Sequence, residues 1–160
     1  MDSPDTPPRP AFYDGAHYES QRSVGYWIKM AYAELQRSLD ARMHPLDLTG
    51  MQWGPLWLIG SGRTDTVAAC AREAGIDAGA MTRMLDRLEA KGLLARERCT
   101  ADRRVVRVSL TDRGQDIVKE IPHILADVLN SHLVGFTDDE LQSLLSLLQR
   151  FVRNGDATKD

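Results

Sequence analysis

The sequence predicts a mainly helical α+β fold with one small β-hairpin: a winged helix-turn-helix core flanked by N- and C-terminal helices. Three observations lead to this prediction. One short helical pattern ends at Gly75 and the next begins at Asp77, which is the order of a helix-turn-helix. Two runs with alternating apolar residues follow, at 93–99 and 104–110, and predict a hairpin. Apolar stripes with helical spacing lie on both sides of this segment.

The first predicted helix covers about residues 16–42 and follows a proline-rich segment, residues 1–15, that we expect to be flexible. The helix ends at His44-Pro45, because the residue before a proline avoids helical dihedral angles. The apolar stripe of this helix consists of Val24, Ile28, Ala31, Leu35 and Leu39.

The second and third helices are predicted from their ends. Thr49 with Gln52 three residues later forms a capping box, and the helix that it opens runs to about Gly60. Pro55 lies inside this helix and is expected to kink or shorten it, because proline removes a backbone donor. Thr64 is the predicted cap of the third helix, over residues 65–74.

The fourth helix is amphipathic and is expected to begin after Asp77 as its cap and to close at Lys91-Gly92. Met81, Leu85 and Leu88 lie on one face, with Met84 at its edge. The opposite face consists of Gly79, Thr82, Arg83, Asp86 and Arg87.

Two longer helices follow the hairpin, in which Val106, Val108 and Leu110 are expected to point inward. Thr111 caps the fifth helix, in which Pro122 predicts a kink. The stripe of the fifth helix consists of Ile117, Ile121, Ile124 and Val128. Thr137 and Glu140 form a capping box that opens the last helix, and residues 155–160 are expected to be a flexible tail. The last helix has an apolar face made of Leu141, Leu144, Leu145, Leu148, Phe151 and Val152.

The apolar stripes outside the core predict self-association. The winged-helix core, residues 47–111, is too small to cover the stripes of residues 16–46 and 112–154. We therefore expect these terminal helices to pack together and against those of a second copy, as a homodimer. In DNA-binding helix-turn-helix proteins the second helix of the motif, here the fourth helix, is the recognition helix that enters the DNA groove. A dimer would bring two recognition helices to two half-sites about one helical turn of DNA apart.

Basic charge is concentrated in one segment. The whole chain has a net charge of −3, but residues 83–113 net +4 and the remainder nets −7. A basic segment in an acidic protein is the footprint of a DNA-contacting face. An ordinary solvated surface would look the same by charge alone, and the order of the motifs favours DNA.

Composition argues against other classes of protein. No apolar run approaches the roughly 18–20 residues that span a bilayer, and residues 1–10 do not resemble a signal peptide. The two cysteines form no disulfide framework, and the four histidines have no metal-ligand spacing. We expect a cytoplasmic protein without metal or cofactor. It is not expected to be an enzyme, because no nucleophile–base pair or phosphate-binding glycine loop is visible.

The chain resembles the MarR family of transcriptional regulators over about residues 18–152. The motifs that carry the resemblance are Leu48-Thr49-Gly50-Met51-Gln52-Trp53, Ala80-Met81-Thr82-Arg83-Met84-Leu85-Asp86-Arg87-Leu88-Glu89, Lys91-Gly92-Leu93-Leu94, Asp102-Arg103-Arg104 and Val108-Ser109-Leu110-Thr111-Asp112-Arg113-Gly114. The resemblance implies a triangular homodimer on a pseudo-palindromic operator, most often a repressor that a small aromatic or phenolic molecule releases. Gly54-Pro55 departs from the family pattern, where ordinary helix formers stand.

Arg83 is the first candidate for a base contact, because it lies mid-face and can pair bidentately with a guanine edge; a phosphate contact is the alternative. Gly79 permits close approach, and Thr82 can reach a phosphate or a thymine methyl group. Arg87 is expected to meet phosphate. Asp86 is expected to fix an arginine, because phosphates repel an unpaired carboxylate.

In the wing, the resemblance places Arg104 in the minor groove, where narrow A·T tracts concentrate negative potential. Asp102 is interpreted as structural, capping the turn and orienting a neighbouring arginine. Arg96, Arg98 and Arg103 are expected to contact the DNA backbone, with solvated surface as the alternative.

The resemblance also places an effector pocket near the first, second and fifth helices. Trp27, Met30, Trp53 and Trp57 would form its wall, although an aromatic residue or a methionine at helical spacing is more often a core residue, and this applies to Trp53 above all. The residues that could meet a carboxylate are Arg22, Arg42 and His44.

Two alternatives remain open. A thiol at Cys99, among arginines on the wing, could sense oxidants in a repressor of the same fold, because neighbouring positive charge lowers a thiol pKa; Cys70 is interpreted as a small apolar core residue. The winged helix could instead bind a protein partner.

Overall fold

The computed structural model describes residues 10–99 and 105–156. Six α-helices and one hairpin make up the described fold, which confirms the predicted fold class. The elements are α1 Val24–Met43, α2 Trp53–Gly60, α3 Val67–Ala74, α4 Ala78–Ala90, β1 Leu94–Arg98, β2 Val106–Leu110, α5 Asp112–His132 and α6 Asp138–Asp156, with 3-10 turns at Gly15–His17, Ser20–Arg22 and His44–Leu46. The chain divides into two compact units, Met1–Glu34 and Leu35–Asp160.

In the first unit, α1 begins eight residues later than the sequence predicted, at Val24 rather than 16. Ser23 is extended and buried, and its hydroxyl accepts a hydrogen bond from the Tyr26 backbone N–H at 3.2 Å. The Tyr13 hydroxyl accepts from the Val24 N–H at 2.9 Å. Because these two side chains satisfy the first amides of α1, the preceding residues form two 3-10 turns instead of more helix.

In the second unit, α2 is shorter than predicted and begins at Trp53. Pro55 therefore stands in the first turn, where its missing N–H would have had no helical partner. Thr49 and Gln52 make only part of the predicted capping box: the Gln52 Oε1 accepts from the Thr49 N–H at 3.1 Å, ahead of the helix. Of the two effects predicted for Pro55, a kink or a shorter helix, the structure shows a shorter helix.

The predicted cap of α3 is wrong. Thr66, and not Thr64, is extended and accepts a hydrogen bond from the Ala69 N–H at 3.2 Å. Residues 64–66 run alongside the hairpin, where the Asp65 carbonyl accepts from the Val108 N–H at 2.8 Å and Thr66 pairs with Arg107. This pairing keeps the chain extended for two more residues and delays the helix.

The hairpin pairs Leu94 with Leu110 and Arg96 with Val108 in antiparallel register. Val108 is buried while Arg107 and Ser109 are exposed, as the alternation predicted. The core below the hairpin is apolar and continuous, and its fully buried side chains include Met43, Leu56, Met81, Leu85, Leu88, Leu93, Leu94 and Ile121. Helix α4 and both strands of the hairpin therefore pack on the same hydrophobic core, which fixes their relative positions.

The start of α5 is clamped to the end of α4. The Thr111 hydroxyl caps α5 by accepting from the Gly114 N–H at 3.1 Å, and it donates to the Gly92 carbonyl at 2.7 Å. The Thr111 N–H donates to the Leu93 carbonyl at 3.1 Å. Gly114 lies so close that an added Cβ would overlap the Leu93 oxygen. The helix then runs through Pro122 without interruption.

The last helix begins at the predicted capping box, in which Glu140 Oε2 accepts from the Thr137 N–H at 2.8 Å. It continues to Asp156, so Gly155 and Asp156 are helical rather than part of a tail, and residues 157–160 lie outside the described residues. No helix within the described part of the chain has the length and apolar character needed to cross a membrane.

Candidate nucleic-acid interface

The exposed face of α4 carries the residues that the sequence assigned to DNA. The Asp77 carboxylate caps this 13-residue helix through the Ala80 N–H at 2.9 Å, and the helix is about 20 Å long. Met81, Leu85 and Leu88 are fully buried, which orients the other face outward. The residues exposed there are Gly79, Thr82, Arg83, Asp86 and Arg87, as predicted.

Gly79 leaves room for the side chain of Arg83. An added Cβ at position 79 would lie 3.4 Å from the Arg83 Nη1 and 3.2 Å from the Asp77 Oδ1. The guanidinium therefore lies back along the helix toward its first turn. An alanine at position 79 would therefore touch the guanidinium at ordinary van der Waals distance.

The hydroxyl of Thr82 is already engaged, because it donates to the Ala78 carbonyl at 2.8 Å. A phosphate oxygen only accepts, so a phosphate contact would require Thr82 to give up this bond. The Thr82 methyl group is not subject to this competition.

Arg96 on β1 is bound to α4 by two carboxylates. Glu89 Oε2 accepts from the Arg96 Nε at 2.9 Å and from Nη2 at 2.5 Å, and the Asp86 Oδ1 lies 2.6 Å from Nη2. These bonds raise the pKa of Arg96, and the largest cause is the hydrogen bond that Arg96 donates to Glu89. Asp86 thus holds an arginine, as the sequence suggested.

Ion pairs neutralise several other cations of the basic segment. Lys91 Nζ lies 3.5 Å from the Asp47 carboxylate and donates to the Gln52 Oε1 at 3.1 Å. Arg107 pairs with Asp65. Within residues 10–99 and 105–156, no ion pair involves Arg83, Arg87 or Arg98. Within the described part of the basic segment, the uncompensated positive charge therefore lies on the exposed face of α4, on β1 and at the start of α5, where Arg113 donates only to the Lys91 carbonyl, at 2.9 Å.

Asp102, Arg103 and Arg104, which the sequence assigned to the wing tip, lie outside the described residues. Cys99, just before it, is half-buried. Cys70 is fully buried and hydrogen-bonded to the Thr64 hydroxyl at 2.9 Å, and burial raises the pKa of its thiol. Cys70 therefore packs as a core residue, as expected.

Two grooves flank α4 in the second unit. A groove of about 290 Å³ lies between α4 and the turn before α2, and includes Arg83 and Arg87. A second groove, of about 420 Å³, separates the first turns of α3 and α4 from the hairpin, and includes Thr82 and Arg96. A larger cleft of about 520 Å³ lies between the end of α2, β2 and α5.

The residues predicted for an effector pocket fall in both units. In the first, Trp27 is 62% exposed and packs edge-to-face on Tyr26, Met30 is exposed, and Arg22 lies 3.7 Å from Glu19. In the second, His44 is exposed and Arg42 pairs with Asp127. Trp53 and Trp57 are half-buried and pack against the core. The 520 Å³ cleft contains none of these residues.

Sequence analysis missed Glu89 as the main partner of Arg96. The signal was present as an acidic residue on α4 seven positions before an arginine on a strand, but only the turn at 91–93 brings the two together. Among the described residues, no cluster of three or more potential metal ligands occurs.

The sequence model described as MarR family matches residues 46–105. A mutant MarR from E. coli complexed with operator DNA is 32% identical, with 80% of this chain and 92% of that chain covered and a TM-score of 0.74. The transcriptional repressor CouR, bound to a 23-mer DNA duplex, is 27% identical, with 82% and 94% covered and a TM-score of 0.73.

BpsR of Bordetella bronchiseptica, whose DNA binding 6-hydroxynicotinic acid regulates, shares the fold at 24% identity, with 84% and 96% covered and a TM-score of 0.75. Helix α4, the hairpin and the flanking helices all occur in the order expected from the sequence. The chain belongs to the MarR family, whose members are DNA-binding transcription regulators and not enzymes.

Proposed function

We propose that this chain is a homodimeric, cytoplasmic repressor that binds a pseudo-palindromic operator and is released by a small aromatic or phenolic acid. The observation that supports DNA reading most directly is the exposed face of α4. Its two arginines, Arg83 and Arg87, have no ion-pair partner within the described residues, whereas Asp86 between them is already bound to Arg96. Such a face presents net positive charge to a polyanion.

Each residue on this face is assigned a role. Arg83 contacts a base, since its fork of donors matches the O6 and N7 acceptors of guanine. Thr82 contacts a thymine through its methyl group, because its hydroxyl donates within the helix. Gly79 makes room for Arg83. Arg87 and Arg98 bind phosphates, and the wing-tip residues Arg103 and Arg104 extend the contact, with Arg104 in the minor groove and Asp102 supporting the turn.

The dimer is proposed from α6. No residue of α6 is buried, and six apolar side chains are 38–61% exposed: Leu144, Leu145, Leu147, Leu148, Phe151 and Val152. Val134 and Phe136, in the turn before α6, are also exposed. A contiguous apolar surface on a chain of this size marks a protein interface, and a second copy would cover it symmetrically.

The effector is proposed as an aromatic acid with two candidate sets of contacts, one in each unit. In the first unit it would pack against Trp27 or Met30 and pair with Arg22. In the second unit it would pack against Trp53 or Trp57 and pair with His44. The aromatic and cationic residues in these helices support this proposal, as does the regulation of BpsR, a protein of the same fold, by an aromatic acid. A thermal-shift screen with aromatic carboxylates tests it, because a ligand that prefers the folded state raises the melting temperature. Loss of the shift in Trp27→Phe or Arg22→Gln would support these residues, and an unchanged shift in both would remove them.

DNA reading is tested by selecting duplexes from a random pool and measuring their affinity against a scrambled duplex. Arg83→Ala should cost about 1–3 kcal/mol at one base position and relax specificity there. Arg87→Ala should weaken all duplexes alike and reduce the salt slope by about one unit. Arg150→Ala on α6 is the control. A wild-type protein that binds random and selected duplexes equally contradicts the proposal, as does full biological activity of a folded Arg83→Ala/Arg104→Ala variant, which would indicate a protein-binding module.

A further inference from the structure

Arg96 lies where the wing meets the recognition helix. We propose that Arg96 is a positioning residue, which locks β1 to α4 through Glu89 and removes Asp86 from the base-reading face, and that it does not bind a phosphate. The inference rests on the proposed DNA-binding function and deepens it. It replaces the sequence-based expectation that Arg96 contacts the DNA backbone.

The geometry joins the two elements at three points. Glu89 uses both carboxylate oxygens: Oε1 accepts from the Arg96 backbone N–H at 3.1 Å, and Oε2 accepts from the guanidinium at 2.9 and 2.5 Å. The Glu89 carboxylate therefore holds the strand itself and not only a long side chain. A charged, multidentate bond of this kind fixes orientation as well as distance.

The side chain of Arg96 is only 21% exposed, in contrast to the exposed Arg83, Arg87 and Arg98. To reach a phosphate, Arg96 would have to leave Glu89 and Asp86. Both carboxylates would then be unpaired beside the approaching DNA backbone, where like charge repels them. The arrangement is therefore self-consistent only with Arg96 in place.

The pairing of Arg96 with Asp86 also keeps Asp86 from binding the neighbouring arginines of α4. Asp86 stands three residues after Arg83 and beside Arg87, and an aspartate at this spacing can pair with an arginine on the same helix. Arg96 holds the Asp86 carboxylate at 2.6 Å. Arg83 thereby remains available for a base edge.

The experiment compares Arg96→Gln, Glu89→Gln and the double variant in binding to a selected operator over a range of KCl concentrations. Each single substitution should weaken specific binding by about tenfold. The double variant should bind about as tightly as the more weakly binding of the two single variants, because both substitutions remove the same interaction. The salt slope should not change. Glu97→Gln, which removes an exposed carboxylate from the same strand, is the matched control and should not weaken binding.

A phosphate contact gives the opposite pattern. Arg96→Gln would then lower the salt slope by about 0.9, and Glu89→Gln would bind as tightly as the wild type or more tightly. Either result overturns the proposal. Arg96→Lys provides a second test if a variant folds poorly: it retains the charge for a phosphate but cannot hold Glu89 bidentately, so it should lose affinity with an unchanged slope. If wild-type protein shows no preference for the selected duplex, the DNA-binding function itself fails.

Discussion

Helices α4 and α6 are both amphipathic, but the apolar face of α4 is buried and that of α6 is exposed. In α4 the apolar side chains Met81, Leu85 and Leu88 are fully buried, and the exposed face is polar and charged. In α6 no residue is buried, and the apolar face is the exposed one. The two helices therefore expose surfaces of opposite character.

This difference indicates two kinds of partner. The exposed face of α4 carries arginines that have no ion pair among the described residues, and such a face suits a polyanion. Each arginine that binds a phosphate releases condensed counterions from the DNA, and this release favours binding. Exposure of an apolar face of several leucines to water is unfavourable, so this face suits burial against another protein surface. DNA reading and self-association are thus assigned to separate helices, which allows each to be tested alone.

The largest expected effect comes from placing charge on the apolar face of α6. Leu148→Glu should convert the proposed dimer to a monomer, because the carboxylate would have to be buried at the interface. Operator affinity should fall on the order of a thousandfold, since a monomer engages one half-site without the advantage of the second. Light scattering and DNA titration measure the two effects.

Ser146→Glu is the matched control, because Ser146 lies on the side of the same helix opposite its apolar face. It should leave both the mass and the affinity unchanged. A Leu148→Glu protein that remains dimeric would show that α6 does not carry the interface.

A somewhat smaller effect is expected at the joint between α4 and α5. Gly114→Ala places a Cβ against the Leu93 carbonyl oxygen, which is backbone and cannot rotate away. We expect a loss of about 3 kcal/mol in the free energy of unfolding, measured by urea denaturation. Gly54→Ala is the control, because its Cβ would meet nothing within 4 Å. Equal stability of the two variants would contradict the tight packing at this joint.

Local signals predicted most of the fold. Asp77, Thr111 and Thr137 are capping residues whose effect depends only on the next few amides, and all three cap the helices expected of them. The exposed face of α4 likewise followed from helical spacing alone. The start of α1 was wrong because the apolar stripe does not reveal where the Ser23 cap lies.

Features that depend on distant residues were missed. The predicted cap at Thr64 was wrong because the pairing of residues 65 and 66 with β2 spans some forty residues and leaves no local trace in the sequence. Arg96 looked like a free cation on a wing, and only the folded turn brings Glu89 to it. Propensity and capping act within one helical turn, whereas these contacts follow from tertiary packing.

The smallest effect concerns the capping box of α6 and its dependence on pH. The backbone N–H and the hydroxyl of Thr137 both donate to Glu140, which lowers the pKa of this carboxyl. A pKa that is lower in the folded state means that the carboxylate contributes stability at neutral pH, and that this contribution is lost as the pH falls through the folded-state pKa.

Wild-type protein should therefore melt at a higher temperature than Glu140→Gln at pH 7, and the difference should shrink in acid. Thr137→Ala removes one donor, so the same loss should be smaller and should be complete at a higher pH. Melting curves at fixed protein concentration measure both shifts, and a difference that does not vary with pH would show that the charge of Glu140 plays no part in starting α6.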